Sequence, residues 1–378
     1  MTLTTGTTQA APRSPEARRN NFDAVRIALA TLVYLGHYVW ILPHNPLPAT
    51  LIAFLIGETG QRCVQAFFVI SGFLMFQSFA RSSSIWFFYE RRLRRIFPGY
   101  LVVIFLSAAL GLSLSRLPIH EYISTDLLKY LVWNTVFLNF MHPTLPGVFE
   151  AQNVNYVNGP LWTLKIEVAF YIIFPLLFKI GQRVGFYFFF CLLLVLSEIY
   201  VTLMTGLWHE THQHVYGLLA DQFPGQLRFF VLGALFAAWR AQGWPSPFAA
   251  TTLGAVLLAG TALMYSGTQM VATITLAAVV FVLCLRPPFL GVSKYGDLSY
   301  GIYIIHFPVL QATRALGLLD AWPIWQFGLV TSIVFGLSAA LWHFIEGPAL
   351  AGRWLRGPKA TVAAVTAPPP NLAVRSES

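Results

Sequence analysis

Residues 22–42 read FDAVRIALATLVYLGHYVWIL, a run whose ionisable side chains are Asp23, Arg26 and His37. A helix needs roughly 20 apolar residues to cross a hydrocarbon layer of about 30 Å, so the stretch reads as a membrane span. Working outward, further apolar runs fall at about 62–80, 96–114, 161–180, 184–204, 226–240, 247–264, 269–285, 298–318 and 325–345. With the first, that makes ten. Segment 127–141 carries Lys129 and Asn134 and is too short to cross, so it reads as an interfacial or re-entrant piece.

The composition agrees. Hydrophobic residues make up 56% of the 378 and charged residues 10%, against about 25% charged in an average soluble domain. A soluble fold of this length has no place to hide that much apolar surface. Disorder, a coiled coil and a disulfide scaffold are excluded. The expected fold is all-α: a polytopic integral membrane helical bundle of about ten transmembrane helices. Residues 1–20 read as a flexible cytoplasmic tail, 21–348 as the transmembrane domain, and 349–378, with Pro368-Pro369-Pro370, as a largely disordered cytoplasmic tail.

The net charge of +9 is less informative than its placement. With the N-terminus inside and ten crossings, 18 of the 24 basic residues fall on the cytoplasmic side. That predicts both termini in the cytoplasm of a multi-pass membrane protein. The basic residues sit between apolar runs rather than on a solvated face, so no nucleic-acid partner is expected. Cys63, Cys191 and Cys284 form no CxxC, and His209-Glu210-Thr211-His212 is not a zinc motif, so no metal is expected.

Ionisable groups inside spans are costly and mark functional sites. Arg26 and His37 are eleven residues apart, about 20° past three helical turns and about 16 Å along the axis. With Asp23 they share one face: a cation at one end, an imidazole at the other. The alternative is an interfacial acid, a snorkelling arginine and a histidine bonded to a neighbouring helix. A second signal is Arg91-Arg92-Leu93-Arg94-Arg95, where Arg92 and Arg95 share a helical face. Arginine forks suit phosphate, although a topology anchor has the same composition. Glu167, just after Asn158-Gly159-Pro160-Leu161-Trp162, lies by residue count at the depth of His37; Tyr171, or less well Lys165 on nearly the opposite face, offers it an alternative partner. Ser299, Tyr303 and His306 form one stripe that lines a channel or bonds helices together. Glu346 ends the last span, facing Arg26 or the arginine cluster. Ser71-Gly72 reads first as helix packing.

Taken together these pieces resemble the bacterial membrane acyltransferases called acyltransferase-three. The resemblance rests on Phe22-Asp23-Ala24-Val25-Arg26 with His37, Phe67 to Leu74, Arg91 to Pro98, Gly159 to Leu164 with Glu167 and Phe170-Tyr171, and Ser299 to Tyr303 with His306-Phe307-Pro308. It implies ten spans and acyl transfer from cytoplasmic acyl-CoA to an outer acceptor, often a surface-sugar hydroxyl. It also implies a catalytic His37 and the family's RxxR pair at Arg92 and Arg95, a spacing that Arg91 and Arg94 share. Where the family often has a second acid, this chain has Val168. Many relatives carry a fused esterase-like domain that is not visible here, so the membrane module is expected to act alone or with polysaccharide-assembly proteins.

On this reading the protein is an enzyme that transfers acyl groups other than aminoacyl groups, O-acetylating an exopolysaccharide or lipid-linked glycan. His37 is the general base, oriented by Glu167, or carries the acyl group itself. Arg26, Arg92 and Arg95 hold the phosphates of acyl-CoA, expected as acetyl-CoA, a co-substrate with no tightly bound cofactor. Asp23, Ser299, Tyr303, His306 and Glu346 are channel candidates. A transporter of a polar substrate or a non-catalytic membrane scaffold is the alternative. The first would work without CoA, and the second would tolerate loss of His37.

Overall fold

A computed structural model describes residues 20–242, 269–285, 287, 290–292 and 296–352. Those residues form helices and connections, with no strand among them. In chain order the helices are α1 (Phe22–Ile41), α2 (Ala49–Phe54), α3 (Gly60–Ala80), α4 (Ile85–Leu114), α5 (Ile119–Tyr122), α6 (Thr125–Thr135) and α7 (Trp162–Val184). There follow α8 (Phe186–Thr211), α9 (His214–Ala220), α10 (Phe223–Ala241), α11 (Gln269–Leu285), α12 (Ser299–Leu316), α13 (Pro323–Leu341) and α14 (Gly347–Leu350). Short π-helical turns, Leu55–Thr59 and Trp342–Glu346, join α2 to α3 and α13 to α14.

Among the described residues, six helical stretches are long and apolar enough to cross a membrane: Phe22–Ile41, Ala49–Ala80, Ile85–Leu114, Gly159–Val184, Phe186–Thr211 and Pro323–Leu350. Helices α10 and α12, of 19 and 18 residues, pack among them, and α11 is a shorter apolar helix. Nine of the ten apolar runs thus fall on described helices. The run 247–264, residues 1–19 and residues 353–378 lie outside the described residues. The last helix continues to Leu350 with Ala349 buried, so the tail expected from 349 starts with a packed helical turn. Helix α6 has 11 residues, about 16 Å, and is too short to cross.

Apolar solvent gives little reason for helices to associate, so close packing and internal hydrogen bonds must hold them. Helices α3 and α10 meet backbone to backbone. A Cβ on Gly72 would lie 1.9 Å from the Phe230 carbonyl oxygen, and one on Gly233 2.1 Å from that of Val69. Gly72 is therefore a packing notch, while its neighbour Ser71 lines an internal passage. Stacked rings fill the surrounding core, including Phe170 on Phe230 at 4.2 Å between centroids. The segment after α6 is stitched over α12. The Gln311 amide donates to the carbonyls of Val154 and Tyr156 at 2.8 and 2.7 Å, and the Asn158 amide to that of Ile304 at 2.8 Å.

Candidate active site

The arginine cluster is helical throughout. Ser84 caps α4 by accepting from the Phe87 amide at 3.1 Å, so the helix starts seven residues before Arg92. That phase sorts the four arginines. Arg94 pairs with Glu90 one turn back, and Arg91 lies over the Phe87 ring. Arg92 and Arg95 turn inward, Arg92 with its guanidinium 5.6 Å from the Tyr171 ring centre.

Arg95 meets Arg26 of α1 on one carboxylate, Asp297, and both guanidinium groups bond its Oδ2. The other oxygen, Oδ1, accepts from the Ser299 hydroxyl at 2.5 Å and the Ser299 amide at 3.2 Å, the arrangement of a helix-starting acid. The residue before it must be glycine. Gly296 has φ +91°, and a Cβ there would lie 1.9 Å from the Trp342 indole nitrogen. Burial disfavours the Asp297 carboxylate, but the charges of Arg26 and Arg95 outweigh that and hold its pKa well below the usual range.

Two spaces that share lining residues open around this centre. A wide basic vestibule of about 640 Å³ is lined by Asp23, Arg26, Arg81, Arg91, Arg92, Arg94, Arg95 and Asp297, among others. A narrower passage of about 90 Å³ shares Arg26, Leu74, Arg92 and Arg95 with it and continues past Glu167, Tyr171, Ser299 and Tyr300 to Thr163 and Tyr303. The Tyr303 hydroxyl lies 2.8 Å from that of Thr163. One turn further along α12, the His306 ring centre is 6.2 Å from that of Tyr303. His306 is fully buried, and its Nε2 lies 3.1 Å from Nδ1 of His37.

The expected partnership of Glu167 with His37 is not formed. Glu167 accepts from the Tyr171 hydroxyl at 2.5 Å, lines the passage beside Arg92, and makes no hydrogen bond to His37. Residue counting gave depth along the axis. It did not give the rotation of α7, which turns Glu167 and Tyr171 toward α4. Lys165 faces elsewhere, its ammonium 4.4 Å from the Phe140 ring centre. Glu346 forms no ion pair with any described arginine either. It is buried beside Gly99 in the π-turn, and both its oxygens lack hydrogen-bond partners. Asp23 lines the vestibule, and Ser299 and Tyr303 line the passage. Asp297 was missed. Its signal was an acid two residues before Ser299, at the same end of the bundle as the arginines. His209, His212 and His214 are exposed, and among the described residues no three His, Cys, Asp or Glu side chains are grouped to hold a metal.

A helical bundle with a bonded imidazole pair one helical turn beyond a passage ringed by arginines defines a multi-pass membrane protein with an internal polar site. The profile of the Acyltransferase domain matches residues 19–343, so the chain belongs to the acyltransferase-three family and is a membrane O-acyltransferase. It is 27% identical to "Nodulation protein 10" of Rhizobium leguminosarum bv. viciae, over 88% of this chain and 93% of that one. It is 27% identical to an "O-acetyl transferase" of Shigella phage Sf6, over 87% and 95%. A "Putative peptidoglycan O-acetyltransferase" of Bacillus subtilis is 23% identical over 75% of this chain and 50% of that one. No solved structure matches the chain.

Proposed function

We propose that the protein transfers an acetyl group from cytoplasmic acetyl-CoA to a hydroxyl of an extracytoplasmic or lipid-linked glycan, with His37 as general base. The observation that carries this reading is that the basic vestibule and the passage share Arg26, Arg92 and Arg95, and that the passage is lined by Tyr303, one turn before His306 and its bonded partner His37. The nucleotide of CoA carries several phosphate charges, and Arg26, Arg92 and Arg95 meet them with fixed forks. The thin pantetheine arm then suits the narrow passage, past Glu167, Ser299 and Tyr303. A sugar hydroxyl is a poor nucleophile until a base takes its proton, and His37 stands about 16 Å beyond Arg26 along α1. The basic mouth faces the cytoplasm, where acyl-CoA is made and positive charge is retained. An acyl group carried on His37 is the variant of this scheme that needs a second transfer. The O-acetyltransferases among the relatives support the acetyl group and a glycan acceptor.

The test is reconstitution in vesicles with isotope-labelled acetyl-CoA and surface glycan from the host, with mass spectrometry of the glycan. Labelled O-acetyl is expected with the wild type and absent with His37→Ala, which should still insert and accumulate. Label transfer by folded His37→Ala at the wild-type rate would overturn the assignment. Glycan export or uptake without CoA dependence would replace it with a transporter.

A further inference from the structure

His37 and His306 hold each other through ring nitrogens, and the hydrogen positions follow from their neighbours. His306 Nδ1 lies 2.8 Å from the Ile302 carbonyl oxygen, one turn back on α12. A carbonyl only accepts, so this nitrogen carries a hydrogen. In the neutral ring Nε2 of His306 is then a lone pair. It sits 3.1 Å from His37 Nδ1, which is also 3.0 Å from the Val33 carbonyl oxygen. Both neighbours of His37 Nδ1 accept, so that nitrogen carries the hydrogen. Nε2 of His37 is left as a bare lone pair, and it bonds no described residue. The chain of donors thus runs from His37 through His306 to the backbone of α12, and its free end is a base.

We infer, building on the reading of His37 as general base, that His306 is the positioning residue that fixes the His37 tautomer and supports the imidazolium formed during transfer. In the step, the acceptor oxygen forms a bond to the thioester carbonyl carbon and the carbon–sulfur bond breaks. The hydroxyl proton goes to His37 Nε2 and from there to the departing CoA sulfur. His306 gains and loses no proton; it accepts a hydrogen bond from Nδ1, and that bond becomes charge-assisted while His37 is protonated. A neutral imidazole suits a helix interior at this depth. A carboxylate there would have to be desolvated in the resting state, where His37 is neutral and offers no charge to pair it. No carboxylate among the described residues bonds either ring. Aromatic groups surround the pair: Tyr34 lies 6.2 Å from the His306 ring, and Phe307 5.3 Å from the His37 ring, between centroids.

The full-length protein labelled with ¹⁵N-histidine gives the first measurement, on the unliganded state. The His37 signal, assigned by its loss in His37→Ala, is expected as the Nδ1–H tautomer at neutral pH. The second measurement is acetyl transfer from acetyl-CoA to the host glycan in vesicles. His306→Leu should lower kcat by about 100-fold with the KM for acetyl-CoA within about threefold, as expected for an aid to proton transfer. His306→Gln, whose side-chain oxygen can accept from Nδ1, should recover to within about tenfold of wild type. A purely structural contact predicts equal loss in both variants, tracking protein accumulation, and that pattern overturns the inference. An active wild type with His37 as the Nε2–H tautomer, or with unaltered turnover in His306→Leu, sinks this inference alone. A wild type with no donor-dependent transfer sinks the acyl-transfer reading together with it.

Discussion

Asp297 is the residue whose removal should be felt most at the arginine end of the bundle. Its side chain is 8% exposed, and those of Arg26 and Arg95 are 18% and 15% exposed. Asp297→Ala leaves two mostly buried guanidinium groups side by side without their shared counter-charge. Breaking one buried ion pair by removing one partner costs about 3–5 kcal/mol. The two arginines keep some access to the vestibule, so the lower figure, about 3 kcal/mol, is expected despite the double contact. Asp297→Asn keeps the shape but turns an amide toward the guanidinium groups, so most of the loss should remain. Reversible unfolding of the full-length protein in mixed micelles measures it. A cycle with Arg95→Ala sharpens the test: the double variant should lose less than the sum of the two singles by about 1–3 kcal/mol, since removing one cation relieves the other. The pH dependence has a definite sign. The Asp297 pKa is depressed in the fold from its ordinary value of 3.8, so its contribution is fully present above that value, declines below it as the unfolded chain takes up the proton first, and is gone once the carboxylate in the fold is protonated too. The gap between wild type and Asp297→Asn should be flat from pH 8 to about pH 5 and narrow in stronger acid. A loss below about 1 kcal/mol for Asp297→Ala, or strict additivity with Arg95→Ala, would refute the reasoning.

Arg92→Ala should weaken acetyl-CoA binding by about tenfold, the worth of one charge-assisted contact, and flatten its salt dependence. Titration calorimetry checks this, and Arg94→Ala, whose guanidinium is already paired with Glu90, should show a smaller change. Arg92→Lys should rescue only in part because a point charge replaces a fork. Gly72→Ala should destabilise the bundle by about 1–3 kcal/mol, since the added carbon meets the backbone of α10 and not a side chain that can swing away; thermal unfolding of the purified variant reads this. Glu167→Gln should leave the His37 tautomer unchanged by ¹⁵N spectroscopy while altering the acetyl-CoA KM, because Glu167 lines the passage and does not bond the base.

The sequence by itself determined that the protein lies in a membrane and where most of its helices run. Length and apolarity are local properties of a segment, and lipid leaves a segment's backbone no partner outside its own helix. It also placed Arg26 and His37 on one stripe, because positions on a single helix are fixed by a constant rotation and rise. The inward pair within Arg91 to Arg95 was open, since both spacings are equal. Tertiary structure decided it, through the phase that the Ser84 cap and the packing of α4 impose. The partner of His37 was beyond the sequence for the same reason. Depth can be counted from a helix end, but azimuth depends on how neighbouring helices pack, and that is a sum over contacts distant in the chain. Hence His306, 269 residues away, holds His37, and Glu167 turns to Tyr171. The role of Asp297 became visible only in three dimensions: its segment shows an acid two residues before Ser299, but not that it organises two arginines from separate helices.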